Sequence, residues 1–294
     1  MRKAVSMKHT WKFVVVAALF AVAAQAKTPK PLVTIDLERH VSPWPSAEQL
    51  ALAPDVAAAV TALAEARDKA VELEKALSSS ALQEVGESPT EQLEKALTAL
   101  RAKRKAALTL LRPAAHTVPQ WLLLADVETA EALDAYEQAT ESGTKAAKLN
   151  LAAVEAVCVK AMAAKPDAAS AQQLDYAWAL ALEARGQAAD AVKHYQAVAA
   201  SAAEPWRSEV LYRAGSLAVA KDAPGALAAW AQVTAMPYQV YAGYRSVMEL
   251  VKTGACPAAN EALAKLKTAP ALDGTSYVEV ATCAAAGCKA KGAK

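Results

Sequence analysis

The sequence predicts an all-α protein: a helical hairpin or coiled coil followed by a short solenoid of paired helices. Three observations carry this expectation. Ala supplies 77 of the 294 residues, and Ala is the strongest helix former. Aromatic residues, which strands favour, make up only 5% of the chain. Apolar positions recur at spacings of three and four, and beyond residue 168 the pattern itself repeats at 33 to 35 residues.

Charge and the first residues bound the compartment. Lys and Arg number 32 against 30 Asp and Glu, so nothing in the balance argues for nucleic acid. Arg2, Lys3, Lys8 and Lys12 precede a 12-residue apolar run, 13–24, and then Ala24-Gln25-Ala26, the pattern a signal peptidase reads. Residues 1–26 are therefore expected to be a cleavable signal peptide; a membrane span takes about 20 apolar residues. Cleavage after Ala26 would leave 268 residues with 28 bases and 30 acids, and no Phe, since Phe13 and Phe20 lie in the signal. Position 27 is Lys, where a lipoprotein would need Cys. No later stretch is long and apolar enough to span a bilayer, so the expected location is periplasmic or secreted.

Residues 27–46 hold Pro29, Pro31, Pro43 and Pro45 and read as an extended arm or linker. Within it Val33, Ile35 and Leu37 alternate with Thr34, Asp36 and Glu38, which suits either an arm lying on the helices or a strand added to a partner's sheet. A unit at 47–112 follows. Over 54–79 the residues Ala59, Leu63, Ala66, Ala70, Leu73 and Leu77 form a heptad seam. A second helix opens at Ser88-Pro89-Thr90-Glu91, with Ser88 as N-cap, and its seam is Leu93, Leu97, Leu100, Arg104, Ala107 and Leu111. An antiparallel hairpin is the simplest arrangement, and self-association through 54–112 is the alternative. The second helix ends in Arg101, Lys103, Arg104, Lys105 and Arg112, which either form a solvated helix end or receive an acidic partner.

A helical hairpin is expected at 117–166. One helix runs from 120 to about 141 after Pro119 and the next from 145 to about 164, ended by Pro166. The run Trp121-Leu122-Leu123-Leu124 is apolar on every side and calls for cover on more than one face. Cys158, within an apolar stretch, is expected to be a buried free thiol.

The repeat occupies 168–287 with a terminal helix, ahead of a Lys-rich tail at 288–294. Leu182, Leu217 and Leu250 are separated by 35 and 33 residues, as are Ala191, Ala226 and Ala259. Four positions after each Ala stands a large residue, Tyr195, Trp230 or Leu263, and seven after it Val198, Val233 or Leu266. Ala179, Ala214 and Val247 precede each Leu by three, and Pro205, Pro237 and Pro270 fall near the unit ends. Turns are expected at Gly186, at 221–225 and at Gly254. This pattern over about 170–270 resembles the tetratricopeptide repeat, a helix-turn-helix unit of about 34 residues. It departs from the family at Arg213, where Leu is usual, at Val247, where Gly or Ala is, and at Asp175, Val210 and Gly243, where an aromatic often opens the unit.

The resemblance implies a binding surface on the first helices of the units, at Gln173, Tyr176, Leu180, Glu183, Ser208, Leu211, Tyr241, Tyr244, Met248 and Lys252. Tyr and Met would suit a peptide or partner helix, while packing of the same residues against the chain's own segments is the competing possibility. Residues 275–287 read as a helix that closes the solenoid, with Tyr277, Val280 and Ala284 for packing. In an oxidising compartment Cys256, Cys283 and Cys288 imply one disulfide and one leftover thiol. Cys256 with Cys283 is favoured because Cys283 shares a face with Val280; Cys288 is the competing partner.

Recognisable chemistry is sparse. His40, His116 and His194 lack metal-ligand spacing, no two Cys form a CxxC pair, and neither a Gly-x-Ser-x-Gly elbow nor a phosphate loop occurs. No cofactor is expected. A soluble lytic transglycosylase would need a further domain, and only 24 residues follow position 270. The expected function is that of a non-enzymatic adaptor binding protein partners of the bacterial cell envelope, in division, outer-membrane, secretion or motility machinery. The alternative is an enzyme, or an enzyme-activating subunit, acting on peptidoglycan; release of muropeptides would separate the two.

Overall fold

The computed structural model describes residues 48–78, 88–142, 148–270 and 277–289. The expected signal peptide, the arm with its Val33–Glu38 alternation and most of the Lys-rich tail lie outside these residues. Helices account for 80% of the described residues, which contain no strand. They are α1 (Pro54–Ser78), α2 (Pro89–Ala114), α3 (Val118–Glu141), α4 (Ala152–Ala163), α5 (Ala168–Ala184), α6 (Ala188–Ser201), α7 (Trp206–Ala218), α8 (Ala223–Trp230), α9 (Tyr238–Thr253), α10 (Cys256–Thr268) and α11 (Tyr277–Ala286).

Each helix packs on its neighbour in sequence, giving successive antiparallel pairs of a helical repeat array, and α3 also meets α5, α7 meets α9, and α9 meets α11. The first pair is α1 with α2, where Leu63, Ala70, Leu100, Ala107 and Leu111 of the two seams are buried. Ser88 caps α2, its Oγ accepting from the Glu91 N–H at 3.3 Å.

The basic end of α2 is met by the chain's own acids. Arg101 Nε donates to both oxygens of Asp134 at 2.9 Å, Arg104 Nη1 reaches Asp134 Oδ2 at 3.3 Å, and Arg112 grips Glu128 through two hydrogen bonds of 2.6 and 3.0 Å. Arg104 is buried within the seam and also donates to the Ala130 carbonyl at 3.1 Å. Arg101 and Arg104 are thus held by the chain's own acids and not solvated, whereas Lys103, Lys105 and Arg112 are exposed, the last while holding Glu128.

α3 starts two residues before the expected Gln120, which is itself buried. Its Oε1 accepts the N–H groups of His116 and Thr117 at 3.0 and 3.2 Å, and its Nε2 donates to the Leu50 carbonyl at 2.8 Å. Leu123 and Leu124 are buried, and Trp121 Nε1 donates to the Ala115 carbonyl at 2.9 Å. The helix expected from 145 begins only at Ala152, because residues 148–150 are not helical and Asn150 Oδ1 takes the Ala152 N–H at 3.1 Å. Asn here competes for the backbone instead of extending the helix.

Most repeat positions, Leu182 among them, form the core of α5–α10, while Leu217 and Leu250 are half-buried. Ala191, Ala226 and Ala259 are fully buried, as are Val198 and Val247, with Ala179, Ala214, Tyr195, Trp230, Val233, Leu263 and Leu266 close to it. Small side chains are buried among the helices, and large ones fill the space between the helices of a pair, as Trp230 of α8 does against α7. Trp230 shows how tight that space is: a Cβ on Gly215 would lie 2.5 Å from its Nε1, which donates to the Tyr212 carbonyl at 3.2 Å. The turns at Gly186 and Gly254 use φ of +77° and +76°, the left-handed conformation glycine adopts without penalty.

α11 packs on α9 and α10 through Ala281 and Ala285, both buried. The disulfide joins Cys256 to Cys288, with Cα atoms 5.7 Å apart, and leaves Cys283 free and exposed. This corrects the expected Cys256–Cys283 pair. α11 turns Cys283 outward, and the chain beyond Gly287, held by hydrogen bonds from the 287 and 288 N–H groups to the 283 and 285 carbonyls, returns Cys288 to the start of α10.

Candidate functional site

Five of the ten residues expected to line a binding surface are instead buried: Tyr176, Leu180, Glu183, Ser208 and Leu211. The polar ones have inward work. Ser208 Oγ accepts the N–H groups of Thr234 and Ala235 at 3.0 and 2.9 Å, pinning the segment before α9 to α7. Tyr176 and Glu183 belong to a buried polar network across α5, α6 and α7. Tyr176 donates to Glu209 Oε1 at 2.8 Å, Tyr195 donates to Glu183 Oε2 at 2.6 Å, and Arg213 lies between the carboxylates, 2.9 Å from Glu209 and 3.5 Å from Glu183. All five side chains are at least nine-tenths buried. Burial raises both tyrosine pKa values well above the ordinary range, and the adjoining carboxylates add to this. Burial alone would lower that of Arg213, but the ring of oxygens around it outweighs burial and raises it. The departure from the repeat at Arg213 thus has a partner set: the arginine answers Glu183 and Glu209.

The remaining expected residues lie outside this core. Gln173, Tyr241, Tyr244 and Met248 are half-buried, and Lys252 is exposed with its Nζ 3.0 Å from Glu249 Oε2. Tyr241 and Tyr244 join a larger aromatic group that spacing alone does not reveal. Tyr212 of α7, Tyr238, Tyr241 and Tyr244 of α9, and Tyr277 of α11 form a continuous set of half-buried rings. Centroid separations are 5.8 Å for Tyr212–Tyr238, 5.9 Å for Tyr212–Tyr241, 5.6 Å for Tyr241–Tyr277 and 5.0 Å for Tyr244–Tyr277. These separations fall in the range of favourable aromatic contact, so the rings hold one another in place while keeping an accessible edge. The hydroxyls of Tyr212, Tyr244 and Tyr277 have no hydrogen-bond partner among the described residues. Partial burial raises the pKa values of Tyr244 and Tyr277, and the Arg245 charge acts against that rise in both.

Other polar groupings are smaller. His194 Nδ1 lies 2.7 Å from Asp175 Oδ1, with its ring stacked on Trp178 at 4.6 Å. Cys158 is fully buried, and desolvation pushes its thiol up to about 12. A cleft of about 290 Å³ lies between α3 and the residues leading into α4, with Glu128, Glu131, Tyr136, Lys148 and Asn150 among its lining. No group of three or more His, Cys, Asp and Glu side chains able to hold a metal ion occurs among the described residues.

No family model matches the chain, and no curated protein or solved structure matches it either.

Proposed function

We propose that this chain is a tetratricopeptide-like adaptor of the bacterial periplasm that binds a protein partner in a cell-envelope complex. The five-tyrosine surface is the observation that carries the reading. Tyr combines apolar area with a hydroxyl and few rotatable bonds, the properties that concentrate binding energy at interfaces. Here five such rings form one contiguous set, and three have hydroxyls with no hydrogen-bond partner among the described residues. Periplasmic placement is supported by the basic-apolar-small pattern of residues 1–26 and by the disulfide, which oxidising compartments permit. No helix among the described residues is long and apolar enough to cross a membrane.

The test is photo-crosslinking in cells from position 248, on the same helix face as Tyr241 and Tyr244, and, as a control, from exposed Lys103 on α2. Capture of one partner from 248 alone, lost when Tyr241→Ala and Tyr244→Ala are added without a change in melting temperature, is the expected result. Equal capture from both positions, or capture that survives the double substitution, would refute the assignment.

A further inference from the structure

The inference rests on the adaptor reading and names the chemistry of the segment that the tyrosine surface takes. α9 carries Tyr241, Tyr244, Arg245 and Met248 at i, i+3, i+4 and i+7, the spacing of one helix face, and all four are half-buried. α11 adds Tyr277, within 5.6 Å of the Tyr241 ring and 5.0 Å of the Tyr244 ring.

Arg245 stands apart from the other half-buried arginines among the described residues. Arg67 pairs with Asp68, Arg101 with Asp134, and Arg207 donates to the Ala199 carbonyl and to Gln232 Oε1. Arg245 makes neither an ion pair nor a hydrogen bond with any described residue. The nearest acid along its own helix, Glu249, is engaged by Lys252 at 3.0 Å. A guanidinium half-screened from water by aromatic rings interacts more strongly with an incoming charge than one in bulk solvent, and its planar fork matches a carboxylate. The hydroxyls of Tyr244 and Tyr277, both of which feel the Arg245 charge, have no hydrogen-bond partner among the described residues.

We propose that this surface binds a partner-protein segment in which an Asp or Glu side chain is flanked by apolar residues. Arg245 and the adjacent hydroxyls take the carboxylate, and the apolar flanks lie on Tyr241, Tyr277 and Met248. A side-chain carboxylate fits better than a chain terminus. Terminal carboxylates are captured by nests of backbone N–H groups, and those of residues 244 and 245 are committed inside α9.

The experiment selects a displayed library of random peptides on three immobilised full-length proteins: wild type, Arg245→Glu, and Tyr241→Ala, Tyr244→Ala. Wild type is expected to enrich peptides with an acid between apolar residues, and Arg245→Glu to lose that enrichment or favour bases. An enriched acidic peptide should bind Arg245→Gln about tenfold more weakly than wild type, as befits one charge-assisted contact. Because Arg245 holds no partner among the described residues, its variants are expected to melt with wild type. Enrichment without acid bias, or the same bias on Arg245→Glu, would overturn the carboxylate assignment and leave the adaptor reading standing. Failure of wild type to enrich anything above the double tyrosine variant would overturn both. If enriched peptides match residues 33–38 of this chain and a synthetic 27–46 peptide competes with them, the occupant is the chain's own arm, and the partner assignment falls.

Discussion

Replacing Arg213 by Leu is expected to be among the most damaging single changes in the array. The side chain is 7% exposed and balances Glu183 and Glu209, which are 8% and 1% exposed. Removing it leaves two carboxylates in a site built around a cation. Breaking a buried pair in this way costs about 3 to 5 kcal/mol, mostly because of the charge left behind. Against a total stability of about 5 to 15 kcal/mol this is a fifth or more, and it corresponds to a fall of roughly 10 °C in melting temperature. The same reasoning says that the network as a whole adds little net stability. The triple variant Glu183→Gln, Arg213→Leu, Glu209→Gln keeps acceptors for Tyr176 and Tyr195 but buries no charge, and should recover at least about 2 kcal/mol relative to Arg213→Leu alone. Urea unfolding followed by circular dichroism and Trp fluorescence, with unchanged denaturant slopes, supplies the comparison. A cost below about 1 kcal/mol for the single change, or a triple variant no more stable than the single, would refute the argument.

Replacing Ala191 or Ala226 by Leu is expected to overpack a fully buried helix crossing and cost about 1 to 3 kcal/mol, read as a lower melting temperature in both variants. Gly215→Ala should destabilise despite the better helix propensity of Ala, because Trp230 must move; shortening that side chain by Trp230→Leu in the same background should recover part of the loss. Substituting Cys256 and Cys288 by Ser should lower stability by up to about 4 kcal/mol for a closure spanning 32 residues, whereas Cys283→Ser should have no measurable effect on melting. Cys158 should resist thiol reagents until unfolding. Its folded pKa, raised from 9.0 to about 12, contributes stability that is complete below pH 9 and lost as pH rises toward 12, so Cys158→Ala should show a shallower alkaline decline than wild type.

The repeat was the most legible part of the chain, because burial demands the same residue sizes at the same places in each pair. Ala191, Ala226 and Ala259, with the large residue four positions on, could be assigned to the interior from spacing alone. Spacing does not say which interior neighbour a polar residue meets. Arg213 therefore read as a departure, although Glu183 and Glu209 were in view, one of them assigned to the binding surface. The arginines of α2 read as a solvated end because their acids lie on the next helix, 16 to 33 residues away in sequence. Tyr241 and Tyr244 were found by repeat register, but Tyr212, Tyr238 and Tyr277 come from three helices and join them only when α7, α9 and α11 pack together. A helical-face argument also misled at Cys283, where sharing a side with Val280 mattered less than the turn beyond Gly287.

An array held by contacts between successive neighbours has two ends from which it can come undone. Here those ends are unequal. The closed covalent ring from Cys256 to Cys288 contains α10 and α11 entire, so a momentarily detached α11 stays tethered beside its docking face and rejoins it before the opening can spread inward. Peeling from the α1–α2 side meets no such latch, and hydrogen exchange or mechanical unzipping should advance from there. Tyr277 rides on the latched segment, which places one wall of the tyrosine surface on the part of the chain least able to leave.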